Sequence, residues 1–345
     1  MSNNLMISVV MATYNRAGTI PLTLRHLAEQ TLDPSKFEVI VVDDGSPDNT
    51  GEVVRNLSGS LPYRLTYLRH ENHGPGYTQN RGILISRAPI VSLIADDILL
   101  SPRALESFLE VHRKHPEENV AVLGRVLQSP LLGRESLFLR KWDPFKFKQL
   151  ASLSELPYYY FWACNISCKR DFLLRHELYR EQKGRAGAAA HEDVELGYRL
   201  WRQGSLRIFY SEEALGHHYH IETLEGAIRR AYQRGLNWKE FRTLVDDPAI
   251  TVHYHIFSHR VLHDYLATFK GRNNLMGVDR NPFLLGIRLL LRALVFNRLT
   301  TSLFWLPLLN LAEQHPELAW CGHTQIYRGA ISYHFFRGVS DGEHA

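Results

Sequence analysis

The chain has 345 residues, a length that suits one large α/β domain with an appendage better than one minimal domain. Its composition, with 45% hydrophobic and 22% charged residues, is that of a globular protein and excludes the disordered and fibrous classes. The formal net charge is only +4 and no dense Lys/Arg block occurs, so nucleic acid is not an expected partner.

The three cysteines form an odd and sparse set, which argues against a disulfide framework and favours a reducing compartment. Cys164 and Cys168 lack the spacing of a zinc site and are expected to be structural thiols. The opening stretch MSNNLMISVV has no basic region before a long apolar core, so it does not predict a signal peptide. We therefore expect a cytoplasmic protein.

The first 125 residues alternate between apolar, β-branched runs and helix-length segments. Such continuous runs are typical of strands that are buried on both faces, the parallel-sheet pattern. They lie at 7–12, 37–42, 65–68, 90–94 and 120–126. Helix signals separate them: Thr19 and Pro21 before a helix ending at Ala28, Asp48 or Asn49 as the next cap, and Ser101 with Pro102 before a third helix. The pattern predicts a doubly wound, mostly parallel α/β sheet with flanking helices.

The pattern loosens over 134–156, where we expect an irregular insertion. YYYFWACNISCKRDFLL then predicts a strand pair leading into a helix, and the small-residue stretch KGRAGAAA predicts a flexible approach to the next segment. HEDVELGYRLWRQG has helical spacing, with Val194, Leu196, Leu200 and Trp201 toward the core and Glu195, Arg199 and Arg202 outward. A strand follows at 206–211, and only helices are predicted after 223. We expect a catalytic domain over 1–220 and a helical region over 221–345.

Two acidic pairs, Asp43–Asp44 and Asp96–Asp97, each follow an apolar strand. Ligands of such sheets bind beyond the carboxyl ends of the strands. Two buried carboxylates do not both stay ionised without a cation, and Mg²⁺ or Mn²⁺ with phosphate oxygens completing its shell would supply one. A turn or a helix cap explains either pair alone equally well. Their recurrence at two strand ends favours a site.

A dinucleotide-binding fold is not predicted, because the turn after the first strand, ATYNRAGT, lacks G-x-G-x-x-G. The P-loop pattern is also missing, so neither hydride transfer nor Walker-type phosphoryl transfer is expected. The remaining possibility is a nucleotide-like site built from side chains. In such a site Asp44 accepts hydrogen bonds from a base or a ribose, and Tyr14 stacks on the base.

Five ordered motifs carry a family resemblance: SVVMATYNR, VIVVDDGSPDNT, NHGPGYTQNRGI, VSLIADD and HEDVELGYRL. In order and spacing, over about residues 5 to 220, they are similar to glycosyltransferase family 2, an inverting, nucleotide-sugar-dependent group with the GT-A fold. One departure is that Ala95 stands where the usual aspartate–any–aspartate motif has an acid.

The resemblance implies roles for particular residues. Tyr14 and Asp44 would hold the base, usually uracil, with Ala12 and Thr13 lining the pocket. Arg81 would approach the base or the diphosphate, and Arg16, the basic residue after the first strand, is assigned to the nucleotide as well. Asp96 would bind ribose, Asp97 the metal, and Asp193 of the Glu192–Asp193 pair would be the general base. A helix-dipole role explains Glu192 and Asp193 equally well without the resemblance. In GHHYH, His217 and His218 are favoured over His220 as metal or diphosphate contacts.

The segment 281–312 is the most apolar part of the chain. Its longest uncharged run, 299–312, is shorter than the roughly twenty residues of a spanning helix. It is either a buried helical hairpin, the preferred interpretation, or an interfacial segment with Arg288 and Arg292 at lipid phosphates, which would make the protein peripheral to the inner face of a membrane.

We therefore expect an inverting glycosyltransferase that uses a nucleotide-sugar donor, UDP-linked above all, a glycan or lipid-linked acceptor, and Mn²⁺ or Mg²⁺. The alternatives are a nucleotide-sugar-binding protein without transferase activity, which Ala95 permits, and a metal-dependent nucleotidyltransferase. The sequence does not specify the sugar, the acceptor, the linkage or the oligomeric state.

Overall fold

The computed structural model describes residues 5–132, 136–141, 147, 150–151, 153–180, 191–253, 282–315, 317–318 and 324–344. Eight strands form one sheet in the order β3-β2-β1-β4-β7-β6-β8-β5. They are β1 (Ile7–Thr13), β2 (Phe37–Asp43), β3 (Arg64–Arg69), β4 (Ile90–Ile94), β5 (Ile98–Leu100), β6 (Val120–Gln128), β7 (Asn165–Lys169) and β8 (Arg207–His218). The five apolar runs of the first 125 residues all form strands, as predicted.

One half of the sheet is parallel. β1 pairs with β2 from Ile7 opposite Phe37 to Thr13 opposite Asp43, and it pairs in parallel with β4 on its other side. Every residue of β2 and β4 is buried, as expected of strands covered on both faces. The other half is mixed, because β7 runs antiparallel to β4 and β6, while β8 runs parallel to β6 and antiparallel to β5.

Helices occupy much of the remaining described chain. They are α1 (Ile20–Ala28), α2 (Thr50–Ser58), α3 (Pro75–Ile85), α4 (Ala104–Lys114), α5 (Leu137–Lys141), α6 (Arg170–Arg175), α7 (Glu192–Gly204), α8 (Leu224–Leu236), α9 (Trp238–Leu244), α10 (Pro248–His253), α11 (Pro282–Val295), α12 (Arg298–Thr300), α13 (Leu306–Gln314) and α14 (Thr324–Glu343). A π-helical turn, Thr301–Trp305, joins α12 to α13. Of the two predicted caps of α2, Asn49 is the preceding residue but forms no capping hydrogen bond with its side chain, whereas Asp48 Oδ1 accepts from the Thr50 backbone amide at 3.1 Å. Helix α4 begins at Ala104, two residues later than its Pro102 signal suggests.

Three local predictions differ from the structure. Tyr158–Tyr160 is a 3-10 helix and not the first of two strands, and the Tyr158 ring packs against Trp201 at 5.3 Å between centroids. β8 continues past residue 211 to His218. β5 was not predicted, since a three-residue strand is too short to show a pattern. Of the predicted irregular insertion, 137–141 is helical, and the small-residue stretch 183–190 lies outside the described residues.

Helix α7 buries two charged side chains that its pattern placed outward. Glu195 and Arg199 are only 3% and 4% exposed. They can be buried because they are paired: Arg199 Nε donates to Glu195 Oε1 at 2.7 Å and Arg199 Nη2 donates to Glu195 Oε2 at 3.0 Å. The guanidinium also donates to the backbone carbonyl of Leu178 at 2.7 Å, so α7 is tied to the segment that precedes it.

The chain divides into two compact units. The first is Met1–Leu131 with Phe145–His220, and the second is Leu132–Pro144 with Ile221–Ala345. Leu132–Pro144, which the sequence analysis included in the catalytic domain, therefore groups with the helical unit. The functional domain boundaries stay a prediction, because compactness alone does not define a functional domain.

Glycines set the packing of the helical unit. A Cβ on Gly235 of α8 would lie 2.1 Å from the carbonyl oxygen of Phe335, and one on Gly338 of α14 would lie 2.1 Å from that of Tyr232. The two helix backbones therefore approach closely at positions where any side chain would collide.

The α11–α13 segment of this unit exposes most of its described apolar side chains. The exposed large residues are Ile287, Leu290, Leu291, Leu294, Val295, Leu299, Leu303, Phe304 and Leu311. The opposite face packs on α14, where Arg292 Nη2 donates to the carbonyl oxygen of Arg328 at 3.2 Å. The preferred interpretation of a buried hairpin is therefore wrong for these side chains. Within the described residues, no helix combines the length and the apolar character that crossing a membrane requires.

Candidate active site

The first acidic pair has two separate structural roles. Asp43, fully buried, accepts hydrogen bonds from the Ser46 backbone amide at 2.8 Å and from the Tyr67 hydroxyl at 2.6 Å. Asp44 accepts from the backbone amides of His73 at 2.8 Å and Gly74 at 3.0 Å. Asp43 therefore closes its own turn, whereas Asp44 holds the loop that begins α3.

The loop after β1 is fixed by hydrogen bonds to the loop after β2. Asn15 adopts a left-handed conformation with φ 58°, which asparagine tolerates better than most residues. The backbone amide of Asn15 donates to Ser46 Oγ at 2.9 Å, and the backbone amide of Arg16 donates to Thr50 Oγ1 at 2.9 Å. These contacts leave the ring of Tyr14 48% exposed beside the strand end, while Ala12 is half-buried and Thr13 is buried.

Arg16 lies against the second acidic pair. Its Nε is 3.3 Å from Asp96 Oδ1, and its Nη2 is 3.6 Å from Asp97 Oδ2. Burial and the neighbouring charge of Asp97 raise the pKa of Asp96, and the Arg16 guanidinium opposes that rise. Burial would also raise the pKa of Asp97, but a hydrogen bond to His220 and the positive charges of His218 and Arg16 lower it below its usual value.

Asp97, His218 and His220 form a group that could hold a metal ion. One potential ligand atom from each lies within 4.8 Å of the other two. Asp97 Oδ1 is 3.6 Å from His218 Nε2, and Asp97 Oδ2 is 3.2 Å from His220 Nδ1. The antiparallel pairing that sets Ile98 of β5 opposite His218 of β8 brings them together. A carboxylate with two imidazoles is a donor set that binds divalent metals.

His217 lies outside this group. It pairs with Leu99, and successive side chains of a strand point to opposite faces, so His217 points away from the face of His218. His220 lies two residues beyond the end of β8 and is grouped with Asp97 and His218 by its position. Burial lowers the pKa of His217, with a contribution from His26. The candidate group thus contains His220 and not His217, while the preference for His217 stays a prediction; the H-x-H spacing in GHHYH is the signal that points to the pair His218 and His220.

Glu192 and Asp193 lie at the start of α7. The Ala163 amide donates to Asp193 Oδ2 at 2.9 Å, and the Tyr179 hydroxyl donates to Asp193 Oδ1 at 3.0 Å. Burial raises the pKa of Asp193 to about 6, although both hydrogen bonds oppose the rise. Burial and the charge of Asp193 raise the pKa of Glu192 to about 7, and the Gly76 amide opposes it.

Electrostatic effects link these groups into one neighbourhood. Burial raises the pKa of Cys164, and the charges of both Asp193 and Asp97 raise it further, so this thiol lies near both carboxylates. Asp44 contributes to the raised pKa of Glu192. Arg81, in contrast, has an exposed side chain on α3 and forms no hydrogen bond or ion pair within the described part of the chain. Sequence analysis gave no role to Tyr179 or Asn80, which come close to Asp193 only through elements distant in the chain, and it ranked His220 below His217 and His218.

Solved structures share this architecture. A mannosyltransferase from Pyrobaculum calidifontis, solved in complex with GDP-Man and Mn²⁺, aligns with TM-score 0.53 and 18% identity over 94% of this chain and 85% of its own. The S. aureus protein TarS, residues 1-349 in complex with UDP, aligns with TM-score 0.52 and 16% identity over 99% of this chain and 92% of its own. The fold is GT-A, as predicted, with helices following the sheet.

Sequence comparison identifies the family. Residues 8–173 match the model described as Glycosyl transferase family 2. The Validoxylamine A glucosyltransferase of Streptomyces hygroscopicus subsp. limoneus is 29% identical over 227 residues, which cover 58% of this chain and 48% of that protein. The chain spans about half the length of the first curated relatives it matches. Over residues 8–173 the chain is therefore similar to glycosyltransferase family 2, in line with the resemblance that its five motifs carry.

Proposed function

We propose that this protein is an inverting glycosyltransferase that moves a sugar from a nucleotide diphosphate donor to an acceptor hydroxyl. The observation that carries the proposal is that a candidate metal group, Asp97 with His218 and His220, and a hydrogen-bonded carboxylate, Asp193, both lie close enough to Cys164 for their charges to raise its pKa. Metal-assisted departure of a diphosphate requires the metal group, and activation of an acceptor hydroxyl requires the carboxylate.

Asp193 is the proposed general base. An acceptor hydroxyl becomes a competent nucleophile when a carboxylate takes its proton during attack, a contribution of roughly a hundred- to ten-thousand-fold. A pKa of about 6 leaves Asp193 mostly ionised at neutral pH and more basic than an ordinary aspartate. Glu192 is buried beside it, with its carboxylate against the Gly76 amide, and a role in supporting the base fits this position. One-step displacement without a carboxylate nucleophile predicts inversion at the anomeric carbon.

Asp97, His218 and His220 would hold the divalent ion, which supplies positive charge for the departing diphosphate. Two imidazoles among three donors favour Mn²⁺ over Mg²⁺, since Mg²⁺ prefers oxygen ligands. Arg16 lies against the same carboxylates and would add a second cation for the phosphates. Asp96 would bind the ribose.

The exposed ring of Tyr14 is available for stacking on a base, in a pocket that Ala12, Thr13 and Asp44 border. The two Asp44 oxygens each accept one amide and keep lone pairs for a base N–H. UDP is the proposed nucleotide, in line with the family motifs and with the UDP bound to TarS. Arg81 remains a predicted contact of the base or diphosphate.

A thermal-shift panel of UDP- and GDP-sugars with and without Mn²⁺, followed by measurement of released nucleoside diphosphate, tests the proposal. Mn²⁺-dependent stabilisation by a UDP-sugar together with turnover supports it. Stabilisation without turnover would indicate a nucleotide-sugar-binding protein. Release of pyrophosphate from a nucleoside triphosphate would indicate a nucleotidyltransferase, and preference for GDP-sugars would contradict the proposed base.

A second observation favours a lipid-linked acceptor over a free glycan. The α11–α13 segment exposes nine large apolar side chains, and 281–312 contains three arginines and no Asp or Glu. An apolar surface with only positive charges complements an anionic bilayer. We propose that this segment rests on the surface of such a membrane, and the cytoplasmic side is the predicted location.

A further inference from the structure

The proposed base is held by two donors from different parts of the chain. One is the Ala163 amide, in the loop before β7, and the other is the hydroxyl of Tyr179. Tyr179 is 4% exposed, so its hydroxyl cannot replace the hydrogen bond to Asp193 with one to bulk water unless the ring moves. Each carboxylate oxygen thus has one fixed partner and keeps a further lone pair for an acceptor.

Tyr179 is itself held by Asn80 of α3. Asn80 Nδ2 donates to the Tyr179 carbonyl oxygen at 2.8 Å, and the Tyr179 amide donates to Asn80 Oδ1 at 3.0 Å. A primary amide side chain has the donor and the acceptor that this two-way contact requires, whereas a carboxylate lacks the donor. Asn80 belongs to the motif NHGPGYTQNRGI, in which only Arg81 had been given a role.

The same helix contacts both sides of the site. The Gly74 amide, just before α3, donates to Asp44, and the Gly76 amide lies near the Glu192 carboxylate, where it opposes the rise of the Glu192 pKa. A Cβ on Gly76 would lie 3.0 Å from both Glu192 Oε2 and Tyr179 Cβ, tighter than most such contacts. Helix α3 is therefore packed against the base region along its first two turns.

We infer that Asn80 and Tyr179 are positioning residues for Asp193, with Asn80 fixing the Tyr179 backbone and the Tyr179 hydroxyl orienting the carboxylate. The role in catalysis rests on the proposed function. A correctly aimed base contributes through geometry, and a hydrogen bond to the ionised form keeps that form available at neutral pH in spite of burial.

The groups that face Asp193 explain why the hydrogen bond from Tyr179 is important for its ionised form. They are the Glu192 carboxylate, the Cys164 thiol, the Ala163 amide and the Tyr179 hydroxyl. Within the described residues, Asp193 forms no ion pair with Arg, Lys or His, so neutral donors alone stabilise its charge. Loss of one of two such donors removes a large share of that stabilisation.

The test is Tyr179→Phe in the full chain, which removes one hydroxyl and keeps the ring. We expect kcat to fall about tenfold, as for loss of a hydrogen bond to a charged group, with the KM for the donor within about twofold. The acid limb of the pH profile should move to higher pH by about one unit, because the carboxylate loses a bond that favours ionisation. Unchanged kcat and an unmoved acid limb would overturn the inference.

Tyr63→Phe is the matched control. Its buried hydroxyl donates to the carbonyl oxygen of Leu24 at 2.7 Å, away from Asp193, so the same chemical change should cost stability and leave the pH profile in place. Asn80→Ala should reproduce the Tyr179→Phe pattern, and the double variant should be no worse than Tyr179→Phe alone, because both act through one contact. Additive losses would contradict the chain of contacts. If Tyr179→Phe does not fold, as judged by circular dichroism, the kinetic pattern of Asn80→Ala tests the inference in its place.

A readout independent of turnover separates this inference from the proposed function. The pKa of Asp193 can be followed by ¹³C NMR of labelled carboxylates in wild type, Tyr179→Phe and Tyr63→Phe, with Asp193→Asn to assign the signal. A higher pKa in Tyr179→Phe alone supports the positioning contact even if no nucleotide sugar is turned over. Equal pKa values in all three proteins would refute it even if the transferase activity is real.

Discussion

The two acidic ends of the site differ in how their charges are compensated. At the metal end, Arg16, His218 and His220 surround Asp97 and lower its pKa. At the base end, the contacts of Asp193 with the described residues are hydrogen bonds from neutral donors, and burial raises its pKa to about 6. Asp97, the proposed metal ligand, is thus kept ionised by the Arg16 guanidinium and by its hydrogen bond to His220, whereas Asp193, the proposed base, has a raised pKa that suits proton uptake. The same side chain is suited to two tasks by its neighbours.

The largest expected effect is at the base end. Asp193→Asn keeps the size of the side chain and removes the base, so we expect transfer to fall at least about a thousandfold while Mn²⁺-dependent binding of the donor persists. Turnover and calorimetric binding on one preparation measure the two effects. Loss of both together would mean that Asp193 does not act separately from the nucleotide site.

At the metal end, Asp97→Asn should remove the metal dependence of donor binding, because it takes the only carboxylate from the candidate ligand group. We expect Mn²⁺ affinity to fall by about two orders of magnitude, in keeping with the charge that an oxygen ligand supplies. Titration with Mn²⁺, followed by electron paramagnetic resonance, measures the free ion directly.

His220→Ala and His217→Ala form a matched pair for the same titration. His220 belongs to the ligand group and His217 lies on the opposite face of the strand, so only the first variant should weaken Mn²⁺ binding. Weakening by His217→Ala and none by His220→Ala would reverse the geometric assignment.

The pH dependence sharpens the contrast between the two ends. The base works when ionised, so below its pKa of about 6 the protonated form accumulates and kcat/KM should fall about tenfold per pH unit. The acid limb of a profile of kcat/KM against pH, measured between pH 4.5 and 8 at constant ionic strength, gives the pKa of the base. A limb near pH 4 would mean that an ordinary, solvated carboxylate controls the reaction.

The smallest expected effect lies outside the site. Leu303→Asp introduces a charge at a side chain that is 75% exposed, so folding should be retained while binding to anionic vesicles falls about tenfold or more. Cosedimentation with phosphatidylglycerol vesicles measures it, and phosphatidylcholine vesicles show the electrostatic share. Leu84→Asp, at an exposed leucine of the sheet-containing unit, is the control. Equal losses for both variants, or a shift to dimers in light scattering, would contradict a lipid partner.

Local patterns in the sequence were enough for the parallel half of the sheet and for the two acidic pairs. Buried parallel strands need continuous apolar runs, and 37–42 and 90–94 show them without reference to any other part of the chain. The family motifs added predicted roles for Asp193 and for a histidine near the end of β8, and these roles stay predictions. The different roles of Asp43 and Asp44 could not be predicted from these patterns. They depend on which backbone amides each carboxylate accepts from: that of Ser46 for Asp43, and those of His73 and Gly74 for Asp44.

By itself, then, the sequence determined the fold class, the family resemblance and the acidic residues at the strand ends, because each of these depends on residues that are close together in the chain. Only the tertiary structure decided that His220 and not His217 joins Asp97, that Glu195 and Arg199 are buried, and that Tyr179 holds Asp193 through Asn80. Each of these depends on contacts between segments far apart in the chain. The same holds for the pKa values, since burial and neighbouring charge set them.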